Sequence, residues 1–336
     1  GSMASIPGAA LVEGMQAHGE ASSGGWSHVV DSSMLLNASD SAEAGIMIAG
    51  CSSASGGAVS LQASTLRLVG GGDHSQSRLV HSVSFISNTA AQGGAFSATS
   101  GSTLHLQGGV LLANNTATQR GGALYMERAT LDVHGAAMSS PVENLACGAS
   151  AGVLCAGPLS GGSVVMSGNA ATTEGGAVFS LLSTIEATGL HICSNTAARG
   201  AGITSSLSQL SLRSSHIWDN LASSAAGGLD LRSGDSLDLS NSTVHGNSGS
   251  SGGGMYVQFP AAFSVHNSSL SCNLATAGDG GGLLLELTPG STSTLRGVSF
   301  TSNTAAASGG GVSVRGSSLV PAAVLGAAAG SAIAAA

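Results

Sequence analysis

Apolar and polar residues alternate along this chain in short bursts of three to five residues, and the bursts recur. Thr103-Leu104-His105-Leu106, Thr130-Leu131-Asp132-Val133 and Ser236-Leu237-Asp238-Leu239 share one pattern. Alternation with a period of two marks a half-buried strand, and the i, i+3, i+4 spacing of an amphipathic helix does not recur. A second burst follows a small-Gly-small triplet, as in Gly93-Gly94-Ala95-Phe96, Gly121-Gly122-Ala123-Leu124, Gly175-Gly176-Ala177-Val178, Gly252-Gly253-Gly254-Met255 and Gly309-Gly310-Gly311-Val312. A third is an apolar residue, two variable residues and Asn: Met34 to Asn37, Phe85 to Asn88, Leu112 to Asn115, Met166 to Asn169, Ile192 to Asn195, Ile217 to Asn220, Val244 to Asn247, Leu270 to Asn273 and Phe300 to Asn303. The Asn-to-Asn steps are 51, 27, 54, 26, 25, 27, 26 and 30 residues. Two read as doubled steps, and the rest centre on about 26, the signature of a solenoid.

Strands this short are stable only when each pairs with its own copy one period away. Three such strands per period predict an all-β fold, a right-handed three-faced parallel β-helix of about ten coils, each rising about 4.8 Å. In that arrangement apolar residues stack like on like, Phe96 over Leu124 and Met255 over Leu283. The Gly pairs serve sharp turns, and Asn tolerates the left-handed conformation. Asn88, Asn115, Asn169, Asn195, Asn220, Asn247, Asn273 and Asn303 are expected in one column, each amide bonding to the next as a structural ladder.

The β-helix is assigned to residues 26–316. Residues 1–25 read as a tag-cleavage scar, Gly1-Ser2-Met3, followed by an N-terminal cap, and 317–336 as an Ala-rich tail. The segment 136–162 breaks the period as an inserted loop, and the register between Gly45 and Arg78 is not legible. The loop carries Cys147 and Cys155, which are expected to form a disulfide, with Cys51, Cys193 and Cys272 remaining thiols. No internal stretch reaches the roughly 20 apolar residues of a membrane span.

Charged residues are only 8% of the chain, 42% is hydrophobic, and the net charge is −8 with every basic residue an Arg. That excludes a disordered polyelectrolyte and leaves no basic stripe for nucleic acid.

Two outward columns carry the candidate chemistry. One reads Arg67, His105, Asp132, Glu186, Ser211, Asp238, Ser264 and Arg296. Asp132 and Glu186 on successive coils, with His105 one coil before, are candidate catalytic residues, since neighbouring carboxylates can divide acid and base roles or hold a cation such as Ca2+. No other metal or cofactor is implied; Asp279-Gly280-Gly281-Gly282 lacks the nine-residue calcium repeat. The other column places Tyr125 beside Phe179 and Tyr256 beside Leu284, a surface for stacking on sugars or seating a partner, or one covered by the inserted loop. No nucleophile elbow or His-Glu-x-x-His is present. Glycosylation sequons stand at Asn37, Asn114, Asn241 and Asn267.

The paired Gly-Gly-Ala-apolar motif, as in Gly93-Gly94-Ala95-Phe96 and Gly175-Gly176-Ala177-Val178, and the Phe-x-x-Asn motif, as in Phe85-Ile86-Ser87-Asn88 and Phe300-Thr301-Ser302-Asn303, resemble the repeats of the chlamydial polymorphic outer-membrane proteins. The likeness covers about residues 34 to 316 and implies a pectin-lyase-like β-helix at a cell surface, used in adhesion. Phe gives way to Leu, Met, Ile or Val in other copies, and the Lys-free composition differs from that family. The expected function is therefore a non-catalytic extracellular or cell-surface scaffold that binds other surface proteins or glycans. A pectin-lyase-like polysaccharide lyase or hydrolase is the alternative, and a segment of a larger filament that self-associates end to end is the third reading.

Overall fold

The computed structural model describes residues 3–7, 10–13, 25, 27–38, 45–71, 83–136, 162–289, 291, 293–316 and 333–335. These form a parallel β-solenoid with no helix among them. One coil leads from Phe96–Thr99 to Thr103–Gln107, Val110–Ala113 and Thr116–Arg120, and each strand pairs in parallel with its copies above and below. We call the resulting sheets faces 1 to 4; they contain 11, 10, 10 and 8 strands. The expected stacking of Phe96 on Leu124 and of Met255 on Leu283 is present in the register of face 1.

Face 4 is an addition to the three faces expected. After most column Asn residues the chain runs straight for two residues, such as Ala170-Ala171 or Leu274-Ala275, and bonds to the coils beside it. Two residues are too few to register as alternation. Strands at Met3–Pro7 and Ala10–Glu13 pair with the following coil, and Ile333–Ala335 pairs with Val312–Gly316, so the ladders extend past 26–316 at both ends.

The core is aliphatic and continuous, with Leu66, Leu104, Leu131, Ile185, Leu210, Leu237 and Phe263 following one another at matched positions of face 2. Face 3 supplies Phe85, whose ring lies 4.4 Å from that of Phe96 across the interior. Each buried Leu or Phe contributes roughly 1.5–3 kcal/mol by leaving water.

The Asn column forms as a buried ladder. Asn115 Nδ2 donates to Asn169 Oδ1 at 3.0 Å, Asn195 Nδ2 to Asn220 Oδ1 at 2.9 Å, and Asn273 Nδ2 to Asn303 Oδ1 at 2.9 Å. The second amide hydrogen reaches a carbonyl one coil back, as from Asn220 to Ile192 at 3.1 Å. The residue before each Asn, from Ser87 to Ser302, is left-handed, with φ between 52° and 63°. Asn37 does not belong to this column. It ends the face 2 strand Ser33–Asn37, and the column position before Asn88 is taken by Cys51, whose N–H donates to Asn88 Oδ1 at 3.0 Å. The 54-residue step from Asn115 to Asn169 is one coil, because the two amides bond to each other directly.

Two further corners carry serine columns that the sequence reading missed. Ser183 N donates to Ser208 Oγ at 3.2 Å, and Ser215 N to Ser242 Oγ at 3.0 Å, while each hydroxyl donates to a carbonyl two residues back. Glycine is required at Gly94, where a Cβ would lie 2.1 Å from the Gly122 oxygen and 2.6 Å from Thr116 N.

Cysteine usage departs from expectation. Cys193 and Cys272 are disulfide-bonded rather than thiols, and Cys51 is a buried thiol. The expected partners Cys147 and Cys155 lie outside the described residues.

Candidate functional site

Face 2 gathers the proposed acid–base residues. Asp132 is held between two imidazoles, Oδ2 at 2.9 Å from His105 Nδ1 and Oδ1 at 3.0 Å from His134 Nε2. His134 was not singled out, although its place two residues after Asp132 puts it on the same side of the strand. Glu186 is in register with Asp132 and exposed. The cluster sits on an open sheet face with His134 66% exposed, so water reaches every member. Among the described residues no group of His, Cys, Asp and Glu could hold a metal ion. Asp279, at the calcium-like Gly run, is engaged by Arg315 and by Ser308 N, and the Arg315 hydrogen bond, with that of Ser308, holds its carboxyl below the ordinary range.

Face 1 places Tyr125 and Phe179 in a stacked pair, ring centroids 5.5 Å apart. The pair is not the exposed platform that sugar stacking needs, because the rings are 5% and 3% exposed; Leu284 is 1% exposed and Tyr256 only half-buried. Arg120 lies over Phe179 at 4.8 Å and pairs with Glu174 at 3.0 Å. Arg232 also binds Glu174, and continues to Asp230, which Arg199 Nε meets at 3.0 Å. These residues form one chain of opposite charges along the rod, with the Asp230 carboxylate fully buried in it. Arg120 ends a face 4 strand, Glu174 and Arg199 lie in turns between faces 4 and 1, Asp230 is in the face 1 strand Leu229–Leu231 and Arg232 follows it, so the chain has no regular spacing in the sequence. Burial, with the nearby Glu127, pushes the Tyr125 hydroxyl up to about 12. Burial, with Glu286, does the same for Tyr256.

The corner between faces 1 and 2 presents a different feature. Leu182, Leu207 and Phe259 are 42%, 54% and 43% exposed and have φ of 51°, 54° and 47°. They occupy equivalent turn positions, with Gly234 in the coil between Leu207 and Phe259; a Cβ at Gly234 would touch the Leu207 side chain at 2.6 Å. An apolar residue in the left-handed region costs roughly 1–2 kcal/mol, and exposing it to water forfeits its burial as well. Three such residues aligned on one corner form an apolar ridge that folding does not require. The available signal was a bulky apolar residue at the turn position where other coils carry Asp31, Ala63, Ser100 and Arg128.

Beside face 3 runs a groove of about 760 Å³ lined by hydroxyls and amides, among them Ser242, Thr243, Ser269, Ser299 and Thr301, and by His216. The sequon residues Asn241 and Asn267 stand on its rim, exposed and left-handed, as is Asn114 elsewhere; Asn37 is half-buried within its strand.

No protein-family model matches the chain, and neither curated proteins nor solved structures contain a significant match to it.

Proposed function

We propose that this β-solenoid is a non-catalytic adhesion module of an extracellular or cell-surface protein, and that the Leu182–Leu207–Phe259 ridge is its contact surface. The ridge carries the reading: aligned bulky apolar side chains are exposed at a conformational cost that a purely structural rod would avoid. Its partner is a protein surface with a complementary apolar groove, because side chains about 5 Å apart per coil make a narrow linear strip. The adjoining outer charges are already paired with one another, so they do not compete for the partner. Disulfide bonding at Cys193 and Cys272 favours an oxidising, extracellular setting. The likeness to chlamydial outer-membrane repeats points the same way, toward adhesion.

The test is surface display of the rod on an otherwise non-adherent cell, with adhesion to host-cell monolayers counted. Leu182→Asn, Leu207→Asn and Phe259→Asn together should abolish adhesion while the melting midpoint rises, since Asn accepts positive φ more readily. Retained adhesion with the ridge removed refutes the proposal.

A second reading draws on the His105–Asp132–His134 cluster, whose ordered imidazoles suit proton transfer on a polysaccharide. Incubation with pectin, alginate and chondroitin-type polymers, with and without calcium, tests it by unsaturated products and reducing ends. Turnover that disappears in Asp132→Asn would replace adhesion as the leading function.

A further inference from the structure

The corner between faces 2 and 3 carries a row of hydroxyls that the fold does not use. Asn241-Ser242-Thr243 and Asn267-Ser268-Ser269 turn this corner on neighbouring coils. Their middle serines are structural. Ser242 Oγ donates to Ser240 O at 2.8 Å and accepts from Ser215 N at 3.0 Å; Ser268 Oγ donates to His266 O at 2.7 Å and accepts from Ser242 N at 3.1 Å. The residues after them are not engaged in this way. Thr243, Ser269 and Ser299 stand in register on face 3, in the same row as His216. Among the described residues their hydroxyls have no hydrogen-bond partner. Successive coils set them about 4.8 Å apart along the rod.

The row lines the groove of about 760 Å³, a volume in the range of small-molecule sites. Most such sites are apolar with a few polar groups; this one is the reverse. The described residues that line it supply hydroxyls, the amides of Asn241 and Asn267, one glycine and the His216 imidazole, with no carboxylate, ammonium or guanidinium among them. Burial lowers the His216 pKa from its ordinary 6.5, so the ring is neutral at pH 7. Its Nδ1 is buried without a hydrogen-bond partner among the described residues. A buried polar atom left unpaired is rare enough in folded proteins to call for an explanation, a missing partner being one. This wall sets the chemistry of what it can hold. A phosphate or carboxylate would meet no cation there, and the net charge of −8 opposes it. An apolar ligand would strip water from the hydroxyls and amides without replacing its hydrogen bonds. A neutral ligand bearing hydroxyls along its length satisfies the wall, since each hydroxyl both donates and accepts.

We infer that this groove binds a neutral, extended β-1,4-linked oligosaccharide, which lies along the rod across the Thr243, Ser269 and Ser299 hydroxyls with His216 beside it. The row advances by one hydroxyl per coil, and a hexopyranose ring in an extended chain is about as long as one coil rise. A β-1,4-linked chain keeps its rings in such a line, whereas an α-1,4-linked chain coils away from it. From His216 to Ser299 the groove crosses three coil rises, about 14 Å, so about three rings are in contact. The site is for binding alone, and no bond is broken in it. It lies on a different corner from the apolar ridge and apart from the His105–Asp132–His134 cluster, so its test is independent of both.

The direct test is titration with cellohexaose and with chitohexaose, followed by heteronuclear NMR. The protein is produced in the bacterial periplasm, where disulfides form and Asn241 and Asn267 stay unmodified. A saturable response to either sugar is expected, with shifts confined to the amides of 241–243, 267–271 and 297–301 and to the His216 ring; the pair shows whether N-acetyl groups are accepted. Maltohexaose and polygalacturonate should bind about ten-fold more weakly or not at all. Thr243→Val/Ser269→Ala/Ser299→Ala should weaken binding about ten-fold at an unchanged melting midpoint, because those hydroxyls hold nothing in the fold. His216→Phe keeps a ring against His191, which His216 stacks on at 5.3 Å, and should weaken binding several-fold. No saturable response to either sugar, shifts centred elsewhere, tighter binding of polygalacturonate, or full affinity in both variants overturns the inference.

Discussion

Replacing Asn220 by Asp tests the amide ladder at a buried point near its middle. Asn220 Oδ1 accepts from Asn195 N at 3.1 Å and Asn195 Nδ2 at 2.9 Å, and Asp keeps both. Its Nδ2 donates to Asn247 Oδ1 at 2.9 Å, to Ile192 O at 3.1 Å and to Trp218 O at 3.1 Å. An ionised carboxylate donates to none of them and brings an oxygen against three others. Each buried acceptor stripped of its donor costs about 1–3 kcal/mol, so two lost donations amount to roughly 2–6 kcal/mol at neutral pH. Among the described residues Asn303 is the last of the ladder, is half-buried, and its amide donates to Leu270 O. Asn303→Asp should therefore cost less, about 1–3 kcal/mol. The introduced carboxyl at residue 220 loses its water, so its folded pKa lies above the unfolded value of about 3.9. The variant consequently regains stability as pH falls through that raised pKa, and the pH dependence ends below the unfolded value. Urea unfolding at pH 7 and pH 5, followed by circular dichroism, measures all three effects. An unchanged midpoint for Asn220→Asp, or an equal loss for Asn303→Asp, would refute the account of the ladder.

Arg199→Ala removes the 3.0 Å partner of the buried Asp230 carboxylate and should lower stability by about 1–3 kcal/mol, with Arg232 retaining part of the compensation; an unaltered urea midpoint would show the charge chain to be incidental. Asp219 has a buried Oδ2 with no hydrogen-bond partner, and burial raises its carboxyl to about 6 from 3.8. Folding therefore disfavours its charge above about pH 6, the penalty fades as pH falls through 6, and it is gone below 3.8. Asp219→Asn, neutral throughout, should stabilise by about 1 kcal/mol at pH 7 once partial exposure is allowed for, and by nothing at pH 3.5; a gain equal at both pH values would contradict this. Gly94→Ala drives a Cβ to 2.1 Å from the Gly122 oxygen and should cost more than about 3 kcal/mol, read as loss of the folded circular dichroism signal; a native-like melt would remove the close-approach argument.

The repeat made the fold legible because a solenoid writes its tertiary contacts as a period. Asn88 through Asn303 could be aligned into one column without coordinates, since every coil repeats the same corner and an amide there has one way to satisfy itself. The face 1 and face 2 registers followed from the same period. Asn37 carries the same local motif as the corner, Met34 to Asn37, and only pairing with Thr65–Val69 puts it on face 2. The third and fourth sheets could not be separated for a similar reason: the turn between them is set by one left-handed residue and one Asn, which composition does not distinguish from a loop. Side-chain exposure was the part that sequence alone could not decide. Tyr125 and Phe179 do point outward from their strand, as alternation requires, but outward means wet only if nothing lies above, and Arg120 does. The bonding of Cys193 and Cys272 likewise depends on how many coil rises separate them from other cysteines. Alternation along a strand states which way a side chain points; what it meets there is settled by chain segments far away in sequence, and that is the information only the tertiary structure holds.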